Sequence, residues 1–181
     1  MHIICFGDSN TFGFDPRSYL DCRYAPEHRW VDILAAQTLW NVRNNGMNGR
    51  EIPSGEITFP KSMDLLIIML GTNDLLQGAS PEEASQRMER FLNNLSIEKQ
   101  KILLIAPPPM KRGEWVTEDT LVDHSIQLAK HYRSLAERLG IHFADAGQWN
   151  VAIAYDGVHF TEEGNKVFAR NLLEFIKNHL C

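Results

Sequence analysis

Five residues carry the chemistry this sequence can do: Ser9 in "FGDSN", Gly49 in "NNGMNGR", Asn73 in "LGTND", and Asp156 and His159 in "DGVHF". A serine hydroxyl is a weak nucleophile at neutral pH and needs a base to take its proton. His159 is the candidate base. Asp156, close by in the same cluster, can reach back to the imidazole Nδ1–H, fix the tautomer and stabilise the imidazolium. Acyl transfer also needs donors aimed at the oxyanion of the tetrahedral intermediate. Asn73 offers a side-chain NH₂, and a glycine such as Gly49 offers a backbone N–H that a substrate can approach closely. The Ser9 amide is a third donor. Each cluster alone also fits ordinary turn or N-cap chemistry. Jointly they supply a nucleophile, a base, an orienting carboxylate and oxyanion donors, provided that the fold gathers them.

Whether it gathers them depends on the elements between. "HIICF" (2–6) is a short apolar run of strand type, and "WNVRN" (40–44) is a weaker one. "DLLIIML" (64–70) and "KILLIA" (101–106) are continuous apolar runs, the pattern of parallel strands covered on both faces. "IHFAD" (141–145) reads as a fifth strand. Helical spacing predicts helices over 26–39, over 80–95, from about Thr117 to Leu139, and from near Thr161 to the end. Ser80, Pro81 and Glu83 sign the start of the second with a capping box, and Gly140 closes the third. The segment 49–63 contains two prolines and little helical period, so it crosses as an irregular loop.

Strands alternating with helices predict an α/β three-layer αβα sandwich around a five-stranded parallel sheet of flavodoxin-like order 2-1-3-4-5, in one domain over residues 1–181. In such sheets ligands bind beyond the carboxyl ends of the strands, where strand order reverses. "GDSN" follows strand one, "NNGMNGR" strand two, "GTND" strand three, and "DGVHF" comes shortly after strand five. All of them fall on one rim.

Bulk properties narrow the partners. The net charge of −5 and the lack of a basic patch argue against nucleic acid. No apolar stretch approaches the roughly 20 residues that cross a bilayer, so no membrane partner is expected. The first residues lack a basic n-region and a long h-region, which predicts a cytoplasmic protein. Cys5, Cys22 and Cys181 are too few and too scattered for a disulfide framework or a zinc site, and no metal is expected. Cys5 reads as a small buried hydrophobe and Cys181 as a candidate free thiol. The sequence contains neither HExxH nor GxxxxGK[ST], and the absence of GxSxG excludes a nucleophile elbow of the α/β-hydrolase type. Two readings of other classes compete. A nucleotide or flavin binder of flavodoxin type is disfavoured, since no phosphate-cradling loop follows strand one and Asp8 would repel phosphate. A catalytically silent ester- or carbohydrate-binding domain finds no support, because every catalytic position holds competent chemistry.

These motifs, in this order and over nearly the whole chain, resemble the SGNH or GDSL-type serine hydrolases. The resemblance implies Ser9 as nucleophile, Gly49 rather than Gly46 and Asn73 in the oxyanion hole, Asp156 as orienter and His159 as base. "ICFGDSNTFGF", "RYAPEHRW", "APPP", "FADAG" and "DGVHFTEEGN" are similar to the bacterial arylesterase and acyltransferase branch. That branch implies short-chain acyl ester substrates, no cofactor, and acyl transfer to alcohols in some members. Two departures stand out. Asn10 replaces the family's leucine, which points to an effect on acyl preference at the site edge. The loop after the second block is shorter than in relatives, which points to a more open cleft and no large ring-like assembly. A homodimer is the assembly that an edge strand and the surface near this loop can support. Asn10, Phe12, Phe14, Met110 and Trp149 are the candidates for the substrate pocket, and for the four apolar ones plain core packing stays open as the alternative.

Overall fold

The computed structural model describes residues 1–18 and 22–180; Cys181, the candidate free thiol, lies outside the described residues. Five parallel strands form one sheet in the order β2-β1-β3-β4-β5, with β1 at His2–Gly7, β2 at Asn41–Gly46, β3 at Leu65–Met69, β4 at Ile102–Ala106 and β5 at His142–Asp145. The order reverses between β1 and β3, as the sequence pattern predicts.

The strand pleat sends alternate residues to opposite faces, and each face has its own core. Ile4, Phe6, Leu66, Ile68 and Leu104 pack with Met88 and Phe91 of α4 (Pro81–Asn93) and with Leu128 and Tyr132 of α5 (Asp119–Leu139). Ile3, Cys5, Leu65, Ile67 and Leu103 pack with Trp30 of α2 (Trp30–Ala36) and with Phe168 and Leu172 of α6 (Glu162–His179). This is a three-layer αβα sandwich. β3 and β4 are buried along their whole length because helices cover both faces, which is why their sequences are unbroken apolar runs.

Local signals set most boundaries. Ser80 and Glu83 close the capping box at the start of α4, and Gly140 ends α5 in the left-handed region at φ 66°. The helix expected over 26–39 breaks in two. Pro26–His28 form a 3₁₀ turn, Arg29 is extended, and α2 runs only from Trp30 to Ala36. The cause is tertiary: the Trp30 N–H donates to Asn165 Oδ1 and its indole N–H to the carbonyl of Asn10, so Trp30 starts a helix instead of continuing one. The second strand is Asn41–Gly46, reaching past the expected 40–44, because it stays paired with β1 up to Gly7. Residues 51–60 form no helix or strand, yet the loop is anchored. Ile52 and Met63 are buried on the α4 face, and Phe59 meets Phe6 edge-on at 5.3 Å. Among the described residues no helix is long and apolar enough to cross a membrane.

Candidate active site

The site lies beyond the level carboxyl ends of β1, β2 and β3, where Gly7 stands opposite both Gly46 and Met69. A single helical turn, α1 (Ser9–Phe12), follows β1 at once, capped by the Asp8 carboxylate, which accepts the Asn10 N–H at 3.0 Å. Ser9 is the first helical residue, so its own N–H has no acceptor within the turn and points outward. Gly46 is what lets this turn rest on β2: a Cβ there would lie 2.1 Å from the Phe12 nitrogen.

Ser9 Oγ is 2.9 Å from His159 Nε2, and His159 Nδ1 is 2.7 Å from Asp156 Oδ2. All three residues are buried. A carboxylate can only accept, so Nδ1 carries the hydrogen and Nε2 is left to accept from the Ser9 hydroxyl. Asp156 Oδ1 accepts the amides of Val158 and His159 at 2.9 and 3.0 Å. Burial raises the Asp156 carboxyl pKa, but the imidazole and these two amides outweigh it and hold the group below its ordinary value. The carboxylate therefore stays ionised beside an imidazole that can become charged.

The loop after β4 interlocks with the loop that carries Asp156. Lys111 N–H donates to the Gly157 carbonyl, and Trp115 N–H to the Asp156 carbonyl, each at 2.9 Å. This pairing brings Trp115 to the imidazole, and Phe14, just past α1, supplies a second ring. Phe14 sits 4.4 Å from the imidazole, and Trp115 stands perpendicular at 5.1 Å with about half of its surface exposed.

Asn73 enters from the other side, at the start of α3 (Thr72–Leu76). Gly71 makes that entry by adopting φ 118°, where a Cβ would press on the Tyr132 hydroxyl at 2.6 Å. Asn73 Nδ2 donates to the Arg50 carbonyl at 3.1 Å, which leaves its second hydrogen for another acceptor. Arg50 is thereby tied to the third cluster, and Gly49 precedes it. The Arg50 guanidinium donates to the carbonyls of Gly7 and Asn45 and lies 4.2 Å over the Phe6 ring, so one side chain fastens the ends of β1 and β2. Gly49 is exposed, and no described residue accepts its N–H. Asp74, next to Asn73, is buried and accepts from the Ile52 amide and from Arg87, pinning the irregular loop to α3.

Burial pushes the Asp8 carboxyl up, to about 6, as it also raises Asp74; the Asn10 amide, His159 and Arg50 draw Asp8 partly back. The sign follows from linkage. A carboxyl raised in the folded state contributes its stability below the unfolded value near 4 and loses it as pH rises through 6. Asp8→Asn keeps an N-cap side chain and removes the charge. The variant's gain in thermal stability is expected to be small at pH 4, to grow as pH rises, and to level off above 6 at up to about 3 kcal/mol. Thermal unfolding of both proteins between pH 4 and 8 checks this; a gain that does not change with pH refutes it.

Of the residues expected in a substrate pocket, the structure places Phe14 beside the imidazole and moves the others away. Asn10 is buried, and its amide bonds backbone groups of Val158 and Phe160 instead of lining the site edge. Phe12 is covered by Arg23, whose guanidinium lies 4.2 Å from its ring. Met110 belongs to the core on the α4–α5 face, and Trp149 packs edge-on against Phe168 on the opposite face. Sequence reasoning missed Trp115 and Arg50. Both follow strands at the same carboxyl rim, the one signal that could have drawn attention to them.

A hydroxyl relayed through imidazole to a buried carboxylate, at the switch point of a parallel sheet, defines a class: a hydrolase able to work through a serine nucleophile. Residues 5–167 match the model of the GDSL-like lipase/acylhydrolase family, and the chain belongs to that family; it is a carboxylic-ester hydrolase. It is similar to a protein described as an arylesterase from Agrobacterium tumefaciens, at 32% identity and TM-score 0.82 over 99% of both chains. It is similar to the aryl esterase of M. smegmatis at 27% identity and TM-score 0.84, again over 99% of both. A carbohydrate acetylesterase family member from Sinorhizobium meliloti shares 26% identity at TM-score 0.80, over 98% of this chain and 97% of that one. No curated protein sequence matches at a significant level.

Proposed function

We propose that the protein hydrolyses short-chain acyl esters (aryl esters, alkyl esters or acetylated sugars) through an acyl-serine intermediate. Ser9 Oγ attacks the ester carbonyl carbon while His159 Nε2 takes its proton. The oxyanion is received by the Ser9 amide, the Gly49 amide and the free hydrogen of Asn73 Nδ2. His159 then gives the proton to the departing alcohol oxygen as the tetrahedral intermediate collapses. Water, activated by the same imidazole, attacks the acyl-serine and releases the acid. An alcohol taking the place of that water accepts the acyl group instead, which is acyl transfer. Asp156 holds the imidazole in the tautomer that makes both transfers feasible.

The observation that carries this reading is the relay itself, with both of its contacts at hydrogen-bond distance and all three groups buried. Support for an aryl or other flat alcohol comes from Trp115, whose half-exposed indole sits directly beside the imidazole where a leaving group must pass. A fluorophosphonate probe is expected to form one adduct, on Ser9. On p-nitrophenyl esters of increasing acyl length, kcat/KM should fall beyond the shortest chains. Trp115→Ala should lower kcat/KM about tenfold for p-nitrophenyl acetate and less for ethyl acetate. Equal losses on both esters count against the aryl reading, and no labelling counts against the mechanism.

A further inference from the structure

We infer that Asn10 is a positioning residue that sets the Ser9–His159 contact by clasping the backbone on both sides of His159. The inference rests on the proposed roles of Ser9 and His159. Asn10 Oδ1 accepts the Phe160 N–H at 2.9 Å, and its Nδ2 donates to the Val158 carbonyl at 3.2 Å. A side-chain amide thus pairs with the chain as a neighbouring peptide group would, one residue before and one residue after the imidazole.

The clasp is short in covalent terms at its other end. Asn10 is bonded directly to Ser9, so the residue that carries the hydroxyl and the segment that carries the imidazole are joined through a single amide. Its own backbone is fixed in turn. Its N–H donates to Asp8 Oδ1, and its carbonyl accepts the Trp30 indole N–H at 2.9 Å. The His159 segment has other ties, namely Ala154 N–H to the His159 carbonyl at 2.7 Å and Tyr24 hydroxyl to the Phe160 carbonyl at 3.2 Å. Those ties come from residues not bonded to Ser9. They hold the segment in the fold, whereas Asn10 holds it in register with the nucleophile.

Leucine has the branching of asparagine without its donor and acceptor, so Asn10→Leu removes the clasp and puts two bulkier methyl groups in its place. It leaves a buried carbonyl and a buried N–H without partners, and it removes the tie that keeps the 158–160 segment in register with Ser9. A displacement of about 1 Å between reacting groups costs on the order of 10²-fold in rate. Asn10→Asp keeps the bond from the Phe160 N–H and loses the one to the Val158 carbonyl, so an intermediate effect is expected. Trp30→Phe serves as the control: it removes a bond to the Asn10 carbonyl and destabilises the same region, but it leaves the clasp in place.

The test measures kcat and KM on p-nitrophenyl acetate for the full chain, with thermal unfolding and the low-field proton resonance of the His159 Nδ1–H. Asn10→Leu is expected to lower kcat ten- to hundred-fold with KM within about threefold, and to shift or broaden that resonance. Asn10→Asp should fall between it and wild type, and should carry the same conclusion if the leucine variant does not fold. Trp30→Phe should lose stability and keep kcat within about threefold. If an Asn10 variant that folds keeps wild-type kcat while Ser9→Ala is inactive, the clasp has no positioning role. If Ser9→Ala remains active, the failure lies in the proposed mechanism itself.

Discussion

Replacing Ser9 with alanine is expected to lower kcat by about 10⁵–10⁶ while leaving the fold in place. The side-chain oxygen makes one hydrogen bond, to His159 Nε2, so its loss removes no support from the backbone. Alanine is also a better helix former than serine at the start of α1. The cost is a buried imidazole nitrogen without its partner, about 1–3 kcal/mol. His159→Ala should lose a similar factor, because an unassisted hydroxyl is almost never deprotonated at neutral pH. The decisive measurement is the double variant. Nucleophile and base act as one unit, so Ser9→Ala/His159→Ala should be no slower than either single variant. Turnover of p-nitrophenyl acetate, corrected for the uncatalysed rate, reads all three. Losses that multiply would mean that the two residues act independently and that the relay is not the engine.

The fold was legible because its signals are local or periodic. The unbroken apolar run of β3 can only be a segment buried on both faces, and the Ser80–Glu83 box fixes a helix start within its own turn. Ser9, Asp156 and His159, which the structure brings into contact, were legible for a related reason: glycine, carboxylate, hydroxyl and amide cluster where strands end, and one rim collects them. What stayed hidden depends on contacts between distant parts of the chain. The break before Trp30 comes from Asn165, which no window around residue 30 contains. Met110 and Trp149 are apolar, and residue type alone does not say whether a side chain faces a core or a cleft. Here they face two different cores. Trp115 sits in an irregular loop with no periodicity to mark it, and only the pairing of that loop with residues 155–157 brings it to the imidazole. Asn10 was legible as unusual and misread as a pocket residue, because its partners are backbone groups that leave no trace in side-chain chemistry.

Asp156→Asn is expected to lower kcat by about 10⁴, and the geometry says why so small a change does so much. In the wild type, Oδ1 accepts two backbone amides and Oδ2 faces His159 Nδ1. An asparagine must keep its oxygen toward the two amides, which turns its NH₂ toward Nδ1. Two donors then face each other, and the imidazole relieves the clash by moving its hydrogen to Nε2. The nitrogen beside Ser9 then donates where it should accept, and it can no longer take the hydroxyl proton. Asp156→Ala lacks this lock and leaves both tautomers accessible, so its activity should equal or exceed that of the asparagine variant. Stability should rank the opposite way, since alanine strands the Val158 and His159 amides at about 1–3 kcal/mol each, while asparagine keeps them bonded. Kinetics and thermal unfolding of the two variants therefore separate the tautomer effect from simple damage to the loop. An asparagine variant that retains more than a tenth of wild-type kcat would show that the carboxylate does not set the imidazole's tautomer.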